Sequence, residues 1–293
     1  MLTKKVVRRA GFTLVEMLIG VVVSSIVGAA TLALTVHHER LGRALDRILI
    51  TRRATREASD ALRYDLRALA PRRQDIYAIG EAFVEFRLSA GFAVVCAIDS
   101  SRTVVSIPAR SSSGPSLTSW IVAPEAGDTA MVLLPAANPD SATWSTAQLN
   151  SAPSRGRACP PEFADAGDPA TSLVLRLTAP LATGAGVGAA MRLFRRARYE
   201  LYRASDGAWY LGFQDCLATR ATPCAIIQPV AGPYPARGIQ FRFLDSAAAP
   251  TALSSRVTRI DIVVRSTAAL GPRIPGLPAV FGDSVLLTIT PRD

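Results

Sequence analysis

Residues 11–36 read Gly11-Phe12-Thr13-Leu14-Val15-Glu16-Met17-Leu18-Ile19-Gly20, then Val-Val-Val-Ser-Ser-Ile-Val-Gly-Ala-Ala-Thr-Leu-Ala-Leu-Thr as far as Val36. Phe12 to Val36 is 25 residues with one charge, Glu16. At about 1.5 Å per residue, a helix of that length crosses a hydrocarbon core of roughly 30 Å. Residues 1–11 carry Lys4, Lys5, Arg8 and Arg9 and no acid. Such a flank stays cytoplasmic and sends the rest of the chain outward. His37, His38, Glu39 and Arg40 end the apolar run abruptly, as at a membrane face.

A cleaved secretory signal, with Val27-Gly28-Ala29 as a weak cutting site, accounts for the run, and so does a plain signal anchor. Both leave Glu16 unexplained. An acidic side chain near the centre of a membrane helix costs about 2.5–3.5 kcal/mol, and less toward its end. One reading tolerates Glu16 at the interface. The other gives it a cation inside the membrane, because a paired carboxylate costs far less than an unpaired one.

The stretch Gly11-Phe12-Thr13-Leu14-Val15-Glu16-Met17-Leu18-Ile19 resembles the prepilin signature of type IV pilins and type II secretion pseudopilins. The resemblance covers about 30 residues and concerns processing and assembly. It implies cleavage by a prepilin peptidase between Gly11 and Phe12, and methylation of the new amine on Phe12. It also implies that Glu16 pairs with the N-terminal amine of a neighbouring subunit, which supplies the missing cation.

The chain has 293 residues, of which 49% are apolar and 19% charged. That excludes a disordered chain and, with one long apolar run, a polytopic membrane protein. The formal charge of +10 invites a nucleic-acid reading. However, the only lysines are Lys4 and Lys5, and alanine is abundant, which is the composition of a GC-rich genome. Removal of residues 1–11 lowers the charge to +6.

Pro71 is the first proline, and residues 39–69 are rich in good helix formers. Leu41, Leu45, Ile48, Leu62, Leu66 and Leu69 recur at helical spacing, with a polar interruption at Arg52, Thr55 and Ser59. One helix is expected from Phe12 to Leu69, about 85 Å long. Residues 12–36 form its membrane half and 37–70 its amphipathic half. Arginines and acids alternate along the latter, as on a solvated face or a contact surface for neighbouring helices.

Residues 71–293 change to short β-type runs. These are 82–88, 93–98, 103–107, 129–134, 172–177, 198–202, 209–213, 238–244, 259–265 and 285–290. Ser205-Asp206-Gly207 is a hairpin signal. Loops are expected at 108–119, 135–171, 180–190, 218–236 and 266–283. The fold class is therefore α+β and pilin-like: a long N-terminal helix packed on an antiparallel β-sheet domain, with inserted loops or a second small sheet. The strand series Arg198–Tyr202, Trp209–Leu211, Gly238–Leu244 and Arg259–Arg265 resembles that of W-type minor pilins and J-type pseudopilins.

Cys96, Cys159, Cys216 and Cys224 all fall outside the membrane run, where an even count reads as two disulfides. Cys216 and Cys224 flank a seven-residue loop, which favours that pair and leaves Cys96 with Cys159. Four cysteines allow three connectivities, and sequence does not choose among them. Zinc lacks a CxxC spacing, and no metal or other cofactor is expected.

A catalyst lacks parts. His37 and His38 are the two histidines, both at the bilayer edge, so an outer Ser-His-Asp or Cys-His site is excluded. Gly184-Ala-Gly186-Val-Gly188 resembles a phosphate loop only superficially. Asp165 and Asp168 are too few for a calcium site. Arg192, Arg195, Arg196 and Arg198 are the densest outer basic cluster. On a strand Arg195 faces away from the others, so DNA is a disfavoured partner.

The expected protein is a non-enzymatic minor pilin or pseudopilin of a type IV pilus or type II secretion pseudopilus. It would sit as a single pass in the inner membrane, with its outer domain in the periplasm, and then enter a filament. Its partners would be other pilin or pseudopilin subunits, the prepilin peptidase/methyltransferase, an inner-membrane assembly platform and membrane lipid. The alternatives are a signal-anchored extracytoplasmic binding module or enzyme, and a pilin-like DNA-uptake protein.

Overall fold

The computed structural model describes residues 13–71, 74–109, 117–135, 143–156, 159–163, 172–216, 224–271, 274 and 276–291. Helix α1 runs Leu14–Leu66 over 53 residues, ending short of Leu69. Its last turn tightens, with Leu69 N–H donating to Leu66 O at 3.4 Å, and Pro71 stands just beyond. The strands are β1 (Ile76–Gly80), β2 (Phe83–Val94), β3 (Ala97–Ile98), β4 (Val104–Pro108), β5 (Thr118–Trp120), β6 (Thr129–Leu134), β7 (Thr143–Gln148) and β8 (Ser154–Gly156). They continue as β9 (Ser172–Arg176), β10 (Ala190–Arg203), β11 (Trp209–Asp215), β12 (Ile227–Tyr234), β13 (Ile239–Leu244), β14 (Arg259–Ala269) and β15 (Val280–Ile289). The architecture is α+β, one long helix with antiparallel sheets.

The largest sheet has eight strands in the path β1-β2-β10-β11-β12, with β5 on β2, β6 on β10 and β7 on β6. Strand β10 is its spine. One edge of β10 pairs with β2 along almost its whole length, with a bulge at Leu193/Phe194. The other edge changes partner midway: Met191–Phe194 pair with β6, and Ala197–Arg203 pair with β11. A four-stranded sheet, β3-β4-β9-β8, is inserted, and β13-β14-β15 form a third sheet.

Several strands lie where loops are expected. β7 and β8 fall inside 135–171, and β12 falls inside 218–236. Pro229 and Pro233 argue against a central strand, but β12 lies at the end of the sheet path, paired with β11, where a missing N–H is tolerated. β7 (Thr-Trp-Ser-Thr-Ala-Gln) is too polar to show an apolar alternation, since only alternate residues face the core.

The chain divides into two compact units. One takes the helix as far as Arg53 together with Thr267–Gly282. Within it Ala44, Leu270 and Ile274 are buried, and Arg47 Nη1 donates to Ala269 O at 2.7 Å. Arg52 stacks over Phe281, 5.4 Å from the ring centroid.

The other unit takes Ala54–Ser266 and the chain from Asp283 onward. Its first core packs Ala54, Ala58, Leu62 and Leu66 of α1 against Phe86, Tyr199, Leu211, Ile260 and Ile262 of the sheets. The polar interruption read at Thr55 and Ser59 belongs to this buried face, with Thr55 0% and Ser59 8% exposed. Ser59 Oγ donates to Thr55 O at 2.7 Å, so burial leaves its hydroxyl satisfied. Small side chains there let backbone approach backbone. Two phenols tie helix to sheet: Tyr199 donates to Asp65 at 2.7 Å, and Tyr234 donates to Ala54 O at 2.6 Å. A second core lies between β2, β6 and β10 and the inserted sheet, around Val105, Ile107, Val132, Leu175, Met191 and Leu193.

Candidate functional site

Gly11 and Phe12 lie outside the described residues. Thr13 opens the described chain, and the helix begins one residue later. Glu16 Oε2 accepts from Thr13 N–H at 2.9 Å and from Thr13 Oγ1 at 3.1 Å. In return, Glu16 N–H reaches Thr13 Oγ1 at 3.3 Å. This is a capping box, with Thr13 at the N-cap and Glu16 at the third helical position. It satisfies two helix-end groups that an apolar medium cannot. The signal was present in the sequence as Thr-x-x-Glu before an apolar run, a role not read there for Glu16. The carboxylate is thus held back over the start of the helix, and its negative charge lies at the positive end of the macrodipole.

The apolar half of α1 is exposed throughout, with Leu14 79%, Met17 64% and Ile26 64% accessible. It is the one helix, among the described residues, long and apolar enough to cross a membrane. Three of its hydroxyls turn inward: Ser25, Thr31 and Thr35 donate to the carbonyls four residues back at 2.7, 2.8 and 2.9 Å. Each therefore presents methyl or methylene groups outward and no unsatisfied donor. His37 and His38 lie edge to face, 6.4 Å apart, and are exposed. Arg43 pairs with Glu39 one turn away at 3.2 Å.

The structure joins Cys96 to Cys159 and Cys216 to Cys224. Among the described residues, the one grouping of potential metal donors is Glu85 with Cys216 and Cys224. There the two sulfurs are bonded to each other, and Glu85 pairs with Arg196. Asp165 and Asp168 lie outside the described residues. The glycine-rich loop offers carbonyls rather than a cradle of N–H groups: Arg102 grips Leu181 O at 2.9 Å, Ala185 O at 2.6 Å and also Ala182 O. A loop whose acceptors close on a guanidinium is not arranged for phosphate.

The basic cluster on β10 divides by strand alternation. Arg195 is only 4% exposed and lies where β10 changes partner from β6 to β11. Its Nε and Nη2 donate to the two oxygens of Asp128 at 2.8 and 2.7 Å, and Nη1 reaches Asp215 at 3.2 Å. Asp128 stands just before β6, and Asp215 ends β11. The guanidinium therefore staples the fork that the backbone ladder leaves open. The hydrogen bond to Asp128, followed by the nearby carboxylate charges, holds the guanidinium pKa above its ordinary value, against the opposing effect of burial.

Arg192, Arg196 and Arg198 share the outer face with Arg87 of β2. They stack on Trp144 (5.4 Å), Tyr77 (5.0 Å), Phe83 (3.9 Å) and Phe194 (5.4 Å) respectively. Three of the four also carry an acid: Arg87 with Asp75 at 2.9 Å, Arg198 with Glu200 at 3.1 Å, and Arg196 with Glu85. Charges neutralised in this way form a weak footprint for a phosphate backbone.

Residues 7–32 match the family model of the prokaryotic N-terminal methylation motif. No curated protein and no solved structure matches the chain. The motif and the long apolar helix that follows it fit a type IV prepilin-like pilin.

Proposed function

We propose that the protein is a minor pilin or pseudopilin, a structural subunit that enters an envelope filament through α1. Insertion places residues 1–11 in the cytoplasm, the apolar half of α1 across the inner membrane and the β-rich unit in the periplasm. A prepilin peptidase hydrolyses the Gly11–Phe12 amide, and the freed amine of Phe12 is methylated. An assembly platform then lifts the helix among those of neighbouring subunits. There the Glu16 carboxylate seats against the amine of another copy or another pilin.

The observation that carries this reading is the methylation motif over residues 7–32, running directly into an exposed apolar helix capped by Thr13 and Glu16. A signal anchor needs neither the motif nor an acid at that depth.

Mass spectrometry of the protein from the membrane fraction of its own host tests it. The expected N-terminus is Phe12 carrying one added methyl group. A chain beginning at Ala30, or an intact Met1, would overturn the reading.

A further inference from the structure

Two cavities adjoin where the β1–β2 turn meets the segment leading into β13. The first, about 230 Å³, has Leu201, Trp209 and Ile239 as its apolar wall and Glu81 and Arg237 at its edge. The second, about 390 Å³, is lined by Gly238, Gln240 and the cations Arg237 and Arg265. Ala236, Arg237 and Gln240 line both. An apolar hollow the size of one large side chain thus lies beside a cationic one.

The residue between them is backbone-strained. Gly238 N–H donates to Pro235 O at 2.8 Å, closing a β-turn in which Arg237 is the third residue, with φ 65°. That position favours glycine, and any other side chain there is strained. The turn itself would be better served by glycine. The guanidinium is held on two sides, with Nη2 3.3 Å from Glu81 and, once the Gln240 amide is turned, Nε 3.2 Å from its oxygen. The strain therefore places a cation over the boundary between the two hollows.

We infer that this pair of cavities docks an extended segment of another protein, an apolar side chain entering beside Trp209 and an adjacent carboxylate meeting Arg237 and Arg265. Charge selects the occupant: two arginines face one acid, Glu81, so an acidic neighbour to the apolar anchor is attracted and a basic one repelled. Both hollows open to solvent, so a chain passing across the surface reaches both. The inference concerns the β-rich unit alone and stands or falls independently of how the N-terminus is processed.

The test uses the full chain in phospholipid nanodiscs, labelled with 5-fluorotryptophan. Its three tryptophans, Trp120, Trp144 and Trp209, give separate fluorine signals, assigned by Trp209→Phe. The probes are acetyl-Phe-Asp-Glu-amide, acetyl-Phe-Lys-Lys-amide and octanoate. The acidic peptide should shift the Trp209 signal saturably and leave the other two in place. Arg237→Gly should weaken that titration about fivefold while raising the melting temperature, because it relieves the turn. A structural role alone predicts no change in binding. A silent Trp209 signal, an equal response to the basic peptide, tighter binding of octanoate than of the peptide, or an unchanged titration in Arg237→Gly would each overturn the inference.

Discussion

Arg195 shows what a single buried charge does in this fold. Its guanidinium, Asp128 and Asp215 sit where β10 exchanges β6 for β11, and Asp128 is fully buried. Removing one partner of such a pair typically costs about 3–5 kcal/mol, because the other charge is left buried and uncompensated. Arg195→Met should therefore destabilise the protein by about that much in chemical denaturation, and Arg195→Met with Asp128→Leu should recover a large part of it. Asp65 behaves differently. Burial pushes its pKa up, against the lowering effect of the Tyr199 hydrogen bond. A raised folded value means that the carboxyl's contribution to stability is complete below the unfolded value of 3.8 and is lost as pH rises through the folded value. Relative to Asp65→Asn, the natural protein should gain stability as pH falls through the raised folded value toward 3.8, read by parallel denaturation curves. At Glu16 two roles meet, capping and charge. Glutamine still serves a capping box, but it carries no charge. Glu16→Gln and Glu16→Leu should both be cleaved normally and both enter filaments poorly, as measured by shearing and immunoblotting. Normal incorporation of the glutamine variant would show that the cap, not the charge, is what assembly needs.

Among the elements, α1 was the most legible in sequence and also the one whose inner face was misread. Its start, its apolar half and its approximate end follow from a charge boundary, an apolar run and Pro71. The middle of its buried stripe does not, because Thr51, Ala54, Thr55, Ala58 and Ser59 look polar or featureless while lying almost wholly inside. Periodicity finds large apolar side chains, but it does not find a face built from small ones. Ala58 is fully buried against the sheets, so Ala58→Leu should destabilise by about 1–3 kcal/mol through overpacking, measured by urea unfolding. The strands divide in the same way. β2, β13 and β14 alternate visibly, and β6 is a short continuous apolar run, 130–134. β7 and β12 are held by pairing with β6 and β11 rather than by their own composition. The candidate site was similarly uneven: the methylation motif is contiguous and readable, whereas the hollow beside Trp209 gathers residues from four separate stretches, which only the fold brings together.

For the molecule as a whole, the two cystines divide the stabilising work unequally. Cys96 and Cys159 are 63 residues apart in sequence, and Cys216 and Cys224 are 8 apart. The entropy a cross-link removes from the unfolded chain grows with loop length, giving about 4 kcal/mol for the long loop and about 2.5 kcal/mol for the short one. Replacing Cys96 and Cys159 by alanine should lower the melting temperature more than replacing Cys216 and Cys224; equal losses would contradict the loop-length argument. The long loop also encloses β3 to β8, every strand from Ala97 to Gly156. A protease that cuts once anywhere between the two cysteines therefore yields two fragments still joined by sulfur, and a cut between β4 and β8 leaves β4 paired to β9 across it. On a non-reducing gel the nicked protein would migrate as one band. A chain cut there would remain a single covalent body.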